Sequence, residues 1–160
     1  MLNITNDDHP SAGEPSDELI AFNLYLNDID RLGNMIGVLG VGLVVNATDE
    51  VEEILHREQE HSISPSVDAQ MNYEVAKTLA NVNRIYLTTV LMFLYTSIER
   101  LNQFIETQDL SKDFNQERLR GREMVTMGDV FKMTGYMLAA QGFELIADST
   151  LKENQLTPPP

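Results

Sequence analysis

Residues 26–54 read LNDIDRLGNMIGVLGVGLVVNATDEVEEI, and this stretch decides the fold. Its apolar and small residues continue a 3,4 spacing that starts upstream: Leu19, Phe22, Leu26, Ile29, Gly33, Ile36, Gly40, Leu43, Ala47 and Ile54. That is the period of one face of an α-helix. The β-branched Val41, Val44 and Val45 argue locally for a strand over Gly40 to Val45. The helical spacing continues on both sides of them, so a helix is expected. Gly33, Gly37, Gly40 and Gly42 each cost a helix roughly 1 kcal/mol relative to alanine. Close approach of a second helix is the natural compensation.

That second helix lies further along the chain. Ala80, Leu87, Leu94 and Leu101 recur seven apart, and no proline or glycine occurs from Val67 to Gln108. Folding at Ser62-Ile63-Ser64-Pro65 pairs residues whose numbers add to about 127. Gly33 then meets Leu94, Gly40 meets Leu87, and Ala47 meets Ala80, small opposite large, which is how a tight helix pair fills space. Asn46 and Asn81 face each other and set the register.

The helix limits follow from end signals. Ser16 is the predicted N-cap of the first helix, with Asp17 and Glu18 at its positive end, and the pattern runs to about Gln59. Thr48 ahead of Asp49 and Glu50 is a second N-cap signal, which leaves open whether the first helix is continuous or broken at Asn46-Ala47-Thr48. Ser66, after Pro65, is the cap candidate of the second helix. Asp109 to Glu123 reads as a polar connector anchored by Phe114 and Leu119. Thr126 with Asp129 predicts the start of a last helix reaching about Lys152, with Val130, Phe131, Met137, Leu138 and Leu145 as its apolar face. The expected fold is therefore all-α, a long antiparallel helical hairpin plus a third C-terminal helix. The organisation is a disordered arm over 1–15, a single helical-bundle domain over 16–152 and a Pro-rich tail over 153–160.

Composition narrows the function classes. A chain with 42% hydrophobic and 22% charged residues fits an ordinary globular protein. The absence of cysteine excludes disulfides, thiolate metal sites and cysteine nucleophiles, and fits a cytoplasmic protein. Met1 to Asp17 has neither a basic region nor an apolar core, so no signal peptide is expected there. The net charge is −14, with 13 acids against 2 bases in residues 1–60. Such a body repels nucleic acid and anionic membranes and favours solubility, or attraction to a basic protein partner.

Uncharged belts run over Leu32 to Thr48, Ile85 to Ile98 and Met133 to Phe143. Each falls short of the about 20 residues a bilayer requires, so a buried core is expected and integral membrane insertion is not. Ile85 to Tyr95 is apolar around nearly the whole circumference. This predicts a homodimer, with Tyr86, Val90, Phe93, Met133 and Met137 as interface candidates.

No constellation for chemistry is complete. Glu53-Ile54-Leu55-His56 has the Glu-x-x-His spacing of di-iron bundles, but Glu58-x-x-His61 is rotated away on the same helix and no later histidine exists. No serine sits in a Gly-x-Ser-x-Gly element, and the glycines do not form a phosphate loop. Catalytic, metal and cofactor sites are therefore not expected. Arg118, Arg120 and Arg122 form the one concentrated basic patch, which offsets the acidic first helix or contacts an acidic partner or a phosphate. Met124, Met127, Met133 and Met137 supply core filling or an adaptable surface. The expected function is a non-enzymatic helical interaction protein: an adaptor, assembly factor or chaperone-like binder. A ligand- or metal-binding bundle and a peripheral membrane or membrane-complex protein are the alternatives.

Overall fold

A computed structural model describes residues 16–60, 64–107 and 116–154. The expected arm over 1–15, the turn residues Ser62 and Ile63, His61, the anchor Phe114 and the tail from residue 155 lie outside the described residues. Three α-helices and no strand occur among those described: α1 Asp17–Gln59, α2 Pro65–Thr107 and α3 Gln116–Asn154. At about 1.5 Å per residue, α1 and α2 are each roughly 65 Å long.

The helix ends are built from the expected chemistry. The Ser16 hydroxyl accepts the Leu19 N–H at 3.2 Å, and Asp17 and Glu18 occupy the first turn. His56 and Arg57 sit at the negative end of α1, where the Glu60 N–H returns to the His56 carbonyl at 3.1 Å. Pro65 opens α2 one residue before the expected cap. Its missing N–H costs nothing in a first turn, and the Ser64 carbonyl accepts from Val67 and Asp68, both at 3.0 Å.

α1 is continuous through Asn46-Ala47-Thr48, the point that the second cap signal left open. Thr48 donates to the Val44 carbonyl at 2.9 Å, so its hydroxyl follows the helix instead of capping a new one. α3 starts at Gln116, ten residues before Thr126, so most of the expected connector is helical. The Arg118 and Arg122 guanidiniums, one turn apart, lie over the Phe104 ring at 5.6 and 5.1 Å. Arg122 also donates to the Arg100 carbonyl at 3.2 Å. These anchors on α2 hold the first turns of α3 in place. At its other end α3 runs to Asn154, past the expected domain limit at 152.

α2 lies between the other two helices and packs against both. Among the described residues no Cα of α1 comes within 8 Å of one in α3. The three helices therefore form an open layer, up-down-up, with α2 in the middle.

The α1–α2 seam is antiparallel and rests on Leu26, Gly33, Gly40, Ala47 and Ile54, all buried and seven apart. The ring in the Gly40 notch belongs to Tyr86: a Cβ on Gly40 would lie 2.7 Å from it. Phe93 fills the Gly33 notch in the same way, at 2.9 Å. The expectation had Leu87 and Leu94 there. The seam is shifted by one residue, which rotates α2 by about 100°. Leu87 and Leu94 are half-buried, and Ala80 is fully buried. Asn46 and Asn81 are both exposed, and Asn81 takes its hydrogen bond from Arg84 at 3.0 Å.

Polar groups lock the register instead. Asp30 of α1 accepts from the buried Thr96 hydroxyl at 2.6 Å and pairs with Arg100 at 2.6 Å. Arg100 also donates to Asn27 at 2.9 Å. On the other side of α2, Ser97 donates to the buried carboxylate of Asp129 in α3 at 2.7 Å.

Candidate interaction faces

The arrangement leaves two helices covered on one side only. On α1, Met35, Val38 and Leu39 point away from α2, and Val38 is 69% exposed. On α3, Met124, Phe131, Leu138 and Leu145 are all exposed, with Phe131 and Leu145 each at 70%. These four are spaced seven apart and so line one face.

Gly121, Gly128, Gly135 and Gly142 run beside them, also seven apart, each three residues before a large apolar side chain. A Cβ added at any of the four would meet nothing within 4 Å. The side of α3 packed on α2 is carried by Asp129, Tyr136, Ala140 and Ala147. In a seven-residue frame, the glycine and large-residue stripes centre opposite to that side. α3 is thus apolar on two opposed faces, one used and one open.

The sequence-predicted interface residues fall elsewhere. Tyr86 and Phe93 are spent inside the chain in the α1 notches, and Val90 is buried. Met133 is half-buried, and Met137 is exposed. The belt over Ile85 to Tyr95 is mostly covered because α2 is central, with Thr88, Leu91 and Tyr95 its exposed members. The missed signal was the glycine heptad of α3, which is legible in the sequence but whose first member, Gly121, lay within the segment read as a connector.

The basic patch divides. Arg118 and Arg122, one turn apart, share a hollow of about 400 Å³ with Ser97, Arg100, Gly121 and Val125, while Arg120 is exposed two residues away and does not line it. Burial lowers the Arg122 pKa below the ordinary guanidinium value, and the nearby Arg118 and Arg100 charges lower it further. Arg100 comes from α2, and no spacing in the patch pointed to it. The Arg100 guanidinium is already paired with Asp30, so Arg118 and Arg122 are the groups that give this hollow the chemistry of an anion site.

The metal candidates do not converge. His56 lies 3.6 Å from Glu52, Glu53 is paired with Arg57, and all are exposed. Among the described residues no three metal-ligating side chains cluster. α1 is long and apolar enough to cross a membrane by length and composition, with 17% of the qualifying window buried within the chain.

A second polar cluster ties α2 to α3. Glu144 pairs with Lys77 at 2.5 Å and with Arg84 at 2.7 Å. The Lys77 hydrogen bond is the main cause that lowers the Glu144 pKa, and the same bond raises that of Lys77. A depressed carboxylate stabilises above its unfolded value and loses this as pH falls through its folded value; a raised lysine does so below its unfolded value and loses it as pH rises. The cluster is therefore fully effective from about pH 5 to 10. Glu144→Gln should melt about 1–3 °C below wild type at pH 7, and the gap should narrow at about pH 3, below the ordinary carboxylate value. A gap of equal size at both pH values would mean that the charge is not what matters.

Comparison with known protein families, with curated proteins and with solved structures gives no match.

Proposed function

We propose that the chain is a non-enzymatic interaction protein that works through the open faces of its outer helices. One observation carries this reading: α1 and α3 each bury one side on α2 and present large apolar side chains on the other. Apolar faces of this extent are costly in water and usually mark binding surfaces. The reading includes self-association as a homodimer, which would cover part of that surface. The acidic surface of α1, with Asp49, Glu50, Glu52 and Glu53 exposed, suits a basic protein partner and disfavours nucleic acid. Lack of cysteine fits a cytoplasmic setting.

Val38→Glu with Leu39→Glu tests the α1 face. Both residues are exposed, so the helix content should stay at the wild-type value. A partner that co-purifies in stoichiometric amount with the wild-type chain and is lost from the variant supports the reading. If the wild-type chain instead floats with phosphatidylcholine vesicles and the variant does not, the face is a membrane contact and the alternative prevails. The second reading, an anion-binding site at Arg118 and Arg122, is favoured by their shared hollow. Inorganic phosphate titrated into the chain would show heat that Arg122→Gln abolishes.

A further inference from the structure

The open face of α3 has a shape that selects its own copy. Four large apolar residues stand exposed in one stripe, and four empty notches stand in the stripe beside it. We propose that α3 packs antiparallel on α3 of a second copy, about a two-fold axis near Met133, each large residue of one helix entering a glycine notch of the other. This rests on the reading of the chain as an interaction protein and names which surface joins two copies.

The register follows from the spacing. With residue numbers of the two helices adding to about 266, Gly121 meets Leu145, Gly128 meets Leu138, Gly135 meets Phe131 and Gly142 meets Met124. All four notches and all four large residues are matched in both copies at once. A shift of one heptad in either direction leaves a glycine or a large residue unmatched on each helix. The chain already uses this device within itself, where α1 receives Phe93 and Tyr86 at Gly33 and Gly40 in an antiparallel seam.

Charge gives an independent reason for the direction. α3 is basic at its start and acidic near its end, with Arg120 and Asp148 both exposed. The antiparallel register brings Arg120 of each copy beside Asp148 of the other, at the edge of the seam. A parallel pair would put the two Arg120 side chains on opposite edges of the seam, each near Val125 of the other copy and far from any Asp148. Lys132 approaches its own counterpart near the axis, but it is paired with Asp129 at 3.2 Å on its own helix. An α3-to-α1 contact between copies would leave the glycine notches of α3 without the matching large residues of a second α3. The face of α3 lies opposite α2, so a second copy approaches without meeting α1.

Because the chain has no cysteine, single-cysteine variants report the geometry directly. Light scattering of the wild-type chain at about 50 μM should give twice its mass of 18.0 kDa. On mild oxidation, Thr134→Cys, close to the axis, should form a covalent dimer. Arg120→Cys alone should not, whereas Arg120→Cys combined with Asp148→Cys should. Gly135→Leu fills the notch for Phe131 and should weaken the dimer at least about 100-fold while circular dichroism keeps the wild-type helix content. Cross-linking of Arg120→Cys to itself would place the two helices in a different register and overturn the proposal. A dimer that survives Gly135→Leu would place the interface on another face, overturning the α3 seam while leaving the interaction reading intact. A wild-type mass of one chain at 50 μM would also overturn the seam; the α1 variant and its partner or vesicle readout then judge the broader reading separately.

Discussion

Gly40→Leu is expected to lower stability by about 1–3 kcal/mol, a fall of roughly 3–8 °C in melting temperature, even though leucine is the better helix former. The reason is local. A Cβ at Gly40 would lie 2.7 Å from the Tyr86 ring and 3.1 Å from its Cζ atom, and a leucine adds three further carbons in the same direction. The ring has to leave the notch or the helices have to separate, and separation would also loosen Phe93 at Gly33. The control is two residues away. Gly42 meets nothing within 4 Å, so Gly42→Ala should gain roughly 0.5–1 kcal/mol from helix propensity alone. Two neighbouring glycines should thus respond with opposite signs. Urea unfolding of the two variants measures this, and equal responses would remove Gly40 from the seam.

Leu26→Ala should cost about 3 kcal/mol, within the range for deleting a fully buried leucine side chain and leaving a cavity. Leu26 is 0% exposed and among the largest fully buried side chains of the chain. The layer has little freedom to collapse around the gap, because Asp30, one turn later, is fixed to Thr96 and Arg100. Leu39→Ala makes the same chemical change at a residue 67% exposed and should alter stability by less than about 1 kcal/mol. Together the two variants test whether α1 is covered on one side only. If Leu39→Ala proves as costly as Leu26→Ala, α1 has a neighbour on its outer face even in the isolated protein, and that neighbour would be a second copy.

Consequences for function follow from the same asymmetry. A closed three-helix bundle would spend its apolar residues on one shared core. An open layer with α2 at its centre spends those of α2 and leaves the outer sides of α1 and α3 available. Of the residues expected at a dimer interface, Tyr86, Val90 and Phe93 on α2 are already occupied within the chain, whereas Met137 on α3 is exposed.

The sequence by itself determined that the protein is helical, where α1 and α2 begin and end to within a few residues, and that they form an antiparallel hairpin with glycines against large side chains. These are local or periodic properties: caps, helix breakers and a seven-residue repeat act within a few turns, so they are written in the order of residues. Only the tertiary structure decided that Tyr86 and Phe93, not Leu87 and Leu94, enter the notches. A one-residue register shift barely changes the repeat, yet it turns the helix by about 100° and brings a different side chain to the seam. Tertiary contacts also decided that α3 starts at Gln116, since its polar first turns are held by Phe104 and the Arg100 carbonyl, both far away in sequence. The same holds for the separation of α1 from α3: a repeat reveals that a helix has an apolar face, whereas the choice of neighbour depends on which packing places Asp30, Asp129 and Glu144 beside their donors on α2.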